Sequence, residues 1–91
     1  MGENSDSGLI MFYGQECDHC HEMMPLLDKL EKEENVSVER LEVWHDDKNM
    51  AVFQKADDGK CGAVPFFHNK KSEKWLCGAV NYEKLKEWAL S

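Results

Sequence analysis

The chain has 91 residues, 42% of them apolar and 32% charged, which is the composition of one globular domain with a small but sufficient core. Its 11 Lys and Arg against 18 Asp and Glu give a formal charge of −7. That balance argues against nucleic acid, whose recognition begins with a basic patch, and against anionic membrane surfaces.

The opening "MGENSDSG" is polar and lacks the features of a signal peptide, and Asp6 stands where the myristoylation pattern needs Ser or Thr. No later run approaches the roughly 18 apolar residues of a membrane-crossing helix. Residues 1–8 are expected to be a flexible polar N-terminus. Residues 9–91 are expected to form a single monomeric domain in a soluble cytoplasmic or organellar compartment. "LIMFYG" (Leu9–Gly14) is a continuous apolar run bounded by glycines, too short for a helix, and reads as a buried parallel strand.

From Asp18 to Glu34, Cys20, Met23, Met24, Leu27 and Leu30 fall at three-four spacing and predict a helix. Pro25 is expected to kink it, because proline cannot donate to the carbonyl of His21. "VSVERLEVW" (Val36–Trp44) alternates as a strand, with an irregularity near Arg40. Asp46 or Asp47 caps a second helix through about Ala56, with Met50, Phe53 and Ala56 inward and Gly59 as the stop. "VPFFHN" and "EKWLCG" form a hairpin about the turn "NKKS", where Lys70 and Lys71 meet solvent. Asn81 caps a last helix with Tyr82, Leu85, Trp88 and Ala89 inward.

The order β-α-β-α-β-β-α implies a right-handed crossover between two parallel strands, followed by an antiparallel hairpin. The expected fold is an α/β domain: one mixed four-stranded sheet with three helices on both faces. Sites in open α/β sheets lie at the carboxyl ends of the parallel strands. Cys17, three residues beyond the first strand, stands there. The stretch "CDHCH" (Cys17–His21) is by itself compatible with a redox dithiol, half of a zinc site or haem attachment.

Three segments together resemble the thioredoxin superfamily. "LIMFYGQECDHCHEMMPLLDKLEKE" resembles its active-site strand and helix, with Pro25 five residues after the second cysteine. "GAVPFF" resembles the segment carrying a cis-proline, and "CGAVNYEKLKEWAL" the closing Gly-Ala and final helix. The resemblance spans Leu9 to Leu90. It implies a thioredoxin-like fold, a cis Val64–Pro65 bond and substrate binding at Val64 and Pro65. It further implies protein disulfide or dithiol substrates, a reductase or glutathione as electron donor, and no cofactor. Three departures stand out. Thioredoxins have Trp where this chain has Glu16, Gly-Pro where it has Asp18-His19, and a buried Asp where it has Met11. Glutaredoxins, the alternative within the superfamily, hold glutathione with a Thr and a Gly-Gly pair that appear here as Val64 and Gly78-Ala79.

The residues suit thiol–disulfide exchange. The attacking species is a thiolate, and a helix N-terminus offers unpaired N–H groups and partial positive charge to stabilise it. Cys17 takes the position of nucleophile, and Cys20, one turn on, that of resolving thiol. His19 adds a titratable donor that favours the thiolate when protonated, and Asp18, with Glu16 and Glu22, opposes it. His21 is expected to be solvated at the helix start, and Met23 and Met24 to be core.

Haem would need a second axial ligand and a fold wrapping the ring. Zinc would need Cys61 and Cys77, or a histidine, beside the first pair, and Cys61 and Cys77 lack the C-x-x-C spacing, so no metal is expected. A non-catalytic binding module of the same fold is disfavoured by the intact dithiol. Cys61 and Cys77 bracket the hairpin near the site end. A second disulfide, a regulatory pair and two ordinary small buried residues all stay open.

Overall fold

A computed structural model describes residues 8–91. Apart from Gly8, the expected flexible N-terminus lies outside the described residues. In chain order the elements are β1 (Leu9–Tyr13), α1 (Asp18–Glu34), β2 (Val38–Glu42), α2 (Asp47–Asp57), β3 (Phe66–Asn69), β4 (Trp75–Cys77) and α3 (Tyr82–Leu90). The sheet order is β2-β1-β3-β4. β1 pairs parallel with β2 and antiparallel with β3, which pairs antiparallel with β4. This is the mixed four-stranded sheet and three-helix α/β arrangement expected from the sequence.

β1 is apolar throughout because both of its faces are covered. Successive side chains on a strand point to opposite faces. Leu9 and Met11 enter a core shared with Cys20, Met23, Leu27 and Leu30 of α1, Leu85 and Trp88 of α3, and Phe67 of β3. Ile10 and Phe12 point the other way, to Phe66 of β3, Val43 and Phe53 of α2. The rings of Phe12, Phe53 and Phe66 lie 5.4–6.1 Å apart, within the range of favourable aromatic contact. α1 and α3 thus cover one face and α2 the other.

Each helix starts on a side chain that takes a backbone N–H. Cys17 caps α1. Asp46 rather than Asp47 caps α2, accepting from the Asn49 N–H at 3.0 Å. Asn81 caps α3, accepting from Lys84 at 2.9 Å. α2 ends on Asp58 in the left-handed conformation, one residue before the expected Gly59. The hairpin turn is organised by Asn69, which is almost fully buried. Its Oδ1 accepts from Lys71 and Ser72, and its Nδ2 donates to the Trp88 carbonyl, tying the turn to the end of α3.

β2 is shorter than the alternation suggests. Arg40 sits on the same side of β2 as Val38, where a strand facing a helix would ordinarily carry an apolar residue. Its guanidinium instead meets Asp28 at 2.7 Å and Glu31 at 3.2 Å, both on α1. That contact is the physical origin of the irregularity near Arg40. After Glu42 the chain turns, so Trp44 leaves the sheet and Val43 alone remains buried.

Leu27 is fully buried between α1 and the sheet, whereas Leu90, at the end of α3, is 52% exposed. Leu27→Ala should therefore cost about 2–5 kcal/mol of unfolding free energy. Leu90→Ala should cost less than about 0.5 kcal/mol. Urea unfolding followed by tryptophan fluorescence measures both, and equal losses would contradict the placement of the core.

Candidate active site

The short path from β1 to α1 places the dithiol. Cys17 has an extended backbone (φ −86°, ψ 109°) and is the N-cap of α1. Its N–H donates to the Gly14 carbonyl at 3.0 Å, closing a turn. Its Sγ accepts the N–H of Cys20 at 3.2 Å. An oxygen usually fills this capping role. Here a sulfur takes it and lies against the unpaired donors of the first helical turn.

The two cysteines form a disulfide, with Cα atoms 5.2 Å apart. Cys17 is 8% exposed and Cys20 is fully buried, so only the first sulfur lies near the surface. Beneath them lies apolar core, including Met11 at the position where the resemblance would have put a carboxylate. Neither sulfur therefore has an acidic residue of β1 below it.

On one side of the dithiol the Val64 carbonyl oxygen is 3.9 Å from Cys17 Sγ. In the reduced protein the Cys17 S–H can donate to it. The Val64–Pro65 peptide bond is cis and Pro65 is fully buried. Three ties hold this segment. The buried Asp57 carboxylate accepts from the N–H of Cys61 at 2.6 Å and of Gly62 at 3.1 Å. The Gly78 N–H donates to the Pro65 carbonyl at 2.8 Å. Cys61 and Cys77 form a second disulfide, with Cα atoms 5.5 Å apart. The β3–β4 register pairs Cys77 with Phe66 and so brings it beside the Val64–Pro65 segment. The structure resolves the open choice for these cysteines as a disulfide. All four cysteines are thus joined in pairs, and no group of three or more His, Cys, Asp or Glu among the described residues is arranged to hold a metal ion.

Asp18 and His19 are exposed in the first turn of α1. His19 Nδ1 lies 3.5 Å from Glu22, and both side chains are largely in water. His21 is exposed at the helix start, as expected, and it also has a backbone partner. Its Nε2 is 2.5 Å from the Gln15 carbonyl oxygen, so the ring reaches back across the start of the helix and holds the preceding loop.

The opposite side of the dithiol is built by residues that sequence reasoning missed. The Glu42 carboxylate accepts from the N–H groups of Gln15 at 2.9 Å, Trp44 at 3.1 Å and His45 at 2.8 Å. It joins the loop before Cys17 to the loop after β2. Burial acts to raise its pKa, but the N–H bonds of His45, Gln15 and Trp44, then the His45 charge, bring it below the ordinary value. The Trp44 indole lies directly over Gly14, so close that a Cβ there would overlap the ring. An indole therefore does flank the dithiol loop, but from Trp44 rather than from the residue before the first cysteine. That residue, Glu16, instead meets the His45 ring, whose Nε2 is 2.8 Å from both carboxylate oxygens. Glu42 and Gln15 lie 27 residues apart in sequence, and His45 and Glu16 lie 29 apart. The only local signal was an acidic residue followed two and three positions on by turn N–H groups.

Two outcomes follow from the ties around the dithiol. The second disulfide closes a loop of sequence separation 16. Replacing Cys61 and Cys77 together with Ser should lower stability by roughly 3 kcal/mol, as read from the urea midpoint. Glu42 has a depressed native pKa, so its contribution is present above the ordinary value of 4.5 and is lost as pH falls through the lower native value. Glu42→Gln should remove that acid-side dependence, measured as the difference in unfolding midpoint between the two proteins across about pH 2–6. An unchanged profile would mean that the carboxylate does not join the loops in solution.

No protein-family model and no curated protein sequence matches the chain. Among solved structures it is similar to the crystal structure of a glutaredoxin from Archaeoglobus fulgidus. The TM-score is 0.70 and the identity 23%, over 98% of this chain and 97% of that one. The likeness covers the domain from end to end, and the fold of this chain is thioredoxin-like.

Proposed function

We propose that the protein is a thiol–disulfide oxidoreductase that reduces or exchanges disulfides in protein substrates through Cys17 and Cys20. The observation that carries this reading is the hydrogen bond from the Cys20 N–H to Cys17 Sγ at the start of α1. The bond, with the helix terminus behind it, favours a thiolate at Cys17 once the pair is reduced.

The Cys17 thiolate attacks one sulfur of a substrate disulfide and expels the other as a thiolate, forming a mixed disulfide. Cys20, after losing its proton, attacks Cys17 Sγ and releases the second substrate thiolate. The substrate gains two electrons and the protein regains the Cys17–Cys20 disulfide. The difference in exposure between the two cysteines supports the order of attack. The backbone of Val64, held by the ties around Cys61 and Pro65, would pair with the incoming chain beside Cys17. Asp18 and His19 would modulate the thiolate from the exposed first turn. A reductase or glutathione would restore the dithiol.

The glutaredoxin likeness favours glutathione as the alternative donor. Val64 and Gly78-Ala79, where that family's glutathione contacts differ, weigh against it. Activity assayed with glutathione and glutathione reductase, against a dithiol donor, separates the two.

Cys20→Ser should leave Cys17 able to attack but unable to be released, so mixed disulfides with partners accumulate on non-reducing gels. Cys17→Ser should trap nothing and abolish insulin-disulfide reduction. Equal trapping by the two variants would overturn the roles assigned.

A further inference from the structure

The residue before Cys17 is an acid, and its position is unfavourable for the chemistry just described. A carboxylate at Glu16 is one residue from the sulfur that must become an anion, and like charges disfavour each other's ionised forms. The structure meets Glu16 with a cation source from another part of the chain. His45, on the loop between β2 and α2, places Nε2 at 2.8 Å from both Glu16 oxygens. This meeting does not rest on two long side chains finding one another in water. Glu42 grips the backbone N–H groups of Gln15 and His45 with one carboxylate and so fixes the two loops side by side. The Trp44 ring seated on Gly14 sets their spacing.

We propose that His45 is a positioning residue for the dithiol: as an imidazolium it engages the Glu16 carboxylate, offsets its charge and so favours the Cys17 thiolate. The inference rests on the oxidoreductase reading for its purpose, but its effect is on the sulfur itself and can be measured without turnover. His45 acts through Glu16 and touches neither cysteine.

The sign follows from the groups around His45. Glu16, from the loop before α1, raises its pKa through the hydrogen bond and then through charge. Burial lowers it, and Glu42, from β2, raises it again; the net direction is upward. Asp46, the N-cap of α2, and Asp47, its first residue, follow it in the chain. In the acid part of the neutral range His45 is therefore charged and Glu16 is offset. As pH rises through the His45 pKa the offset is lost, and the Glu16 charge, one residue from Cys17, is left without its counter-charge. The effect of removing His45 must then be largest at low pH and absent at high pH. A loss caused by loosening of the loop would persist at both.

The test uses the full chain carrying Cys20→Ser with the Cys61–Cys77 disulfide intact, so that Cys17 is the one free thiol among the described residues. Its iodoacetamide alkylation rate is measured in that protein and with His45→Gln, Glu16→Gln or both added. His45→Gln should slow alkylation at about pH 6 by roughly two- to fivefold, the size expected of an exposed ion pair. It should leave the rate at about pH 9 unchanged, because His45 is neutral there. In the Glu16→Gln protein, adding His45→Gln should change nothing at either pH. An unchanged rate at about pH 6, an equal slowing at both pH values, or the same slowing with Glu16 already replaced would each overturn the proposal. Insulin reduction by the unaltered chain tests the oxidoreductase reading separately, and its failure would leave the alkylation result standing.

Discussion

One hydrogen bond, from the Cys20 N–H to the Cys17 sulfur, organises the dithiol end of this molecule. It requires α1 to begin at Cys17 and not a turn earlier or later. β1 delivers the chain to that point, because its burial on both faces leaves it no freedom to slide. A slip of one residue would exchange Leu9 and Met11 with Ile10 and Phe12 between two differently shaped cores. α1 is held in turn by Cys20, Met23, Leu27 and Leu30, which form its buried stripe. Core packing and the position of the Cys17 sulfur are thus one constraint.

The loops on either side of the dithiol are held by different means. The Val64–Pro65 side is tied by the Asp57 carboxylate, by the Gly78–Pro65 backbone bond and by a disulfide. The Gln15–Glu16 side is tied by the Glu42 carboxylate, the Trp44 ring over Gly14 and the His21 ring on the Gln15 carbonyl. In both cases a carboxylate serves backbone N–H groups in loops, where the regular pairing of helices and sheets is unavailable. Acidic residues are abundant in this chain, and Asp57 and Glu42 have this use.

Much of the fold was legible in the residues. Three-four spacing from Cys20 to Leu30, the apolar run of β1 and the polar turn between Phe67 and Trp75 each follow from local geometry. What local patterns left out was each side chain's partner. Arg40 broke the alternation of β2 because its partners, Asp28 and Glu31, belong to α1. His21 is exposed as expected, but nothing in its neighbourhood announces that the Gln15 carbonyl turns toward its ring. Asp57 reads as one more acid at a helix end. Its burial against Cys61 and Gly62 depends on the path the loop takes afterwards.

The sequence by itself determined the order of elements, the mixed sheet and the place of Cys17 and Cys20 at the start of a helix, because these depend on periodicity and on spacings of a few residues. Only the tertiary structure decided what surrounds the two sulfurs. The Val64 carbonyl reaches Cys17 across 47 residues, Cys77 meets Cys61 through the β3–β4 register, and His45 finds Glu16 because Glu42 joins two loops. Such meetings are fixed by strand order, register and loop path together. No local pattern encodes them, because each side chain's surroundings are set by segments that become neighbours only when the sheet closes.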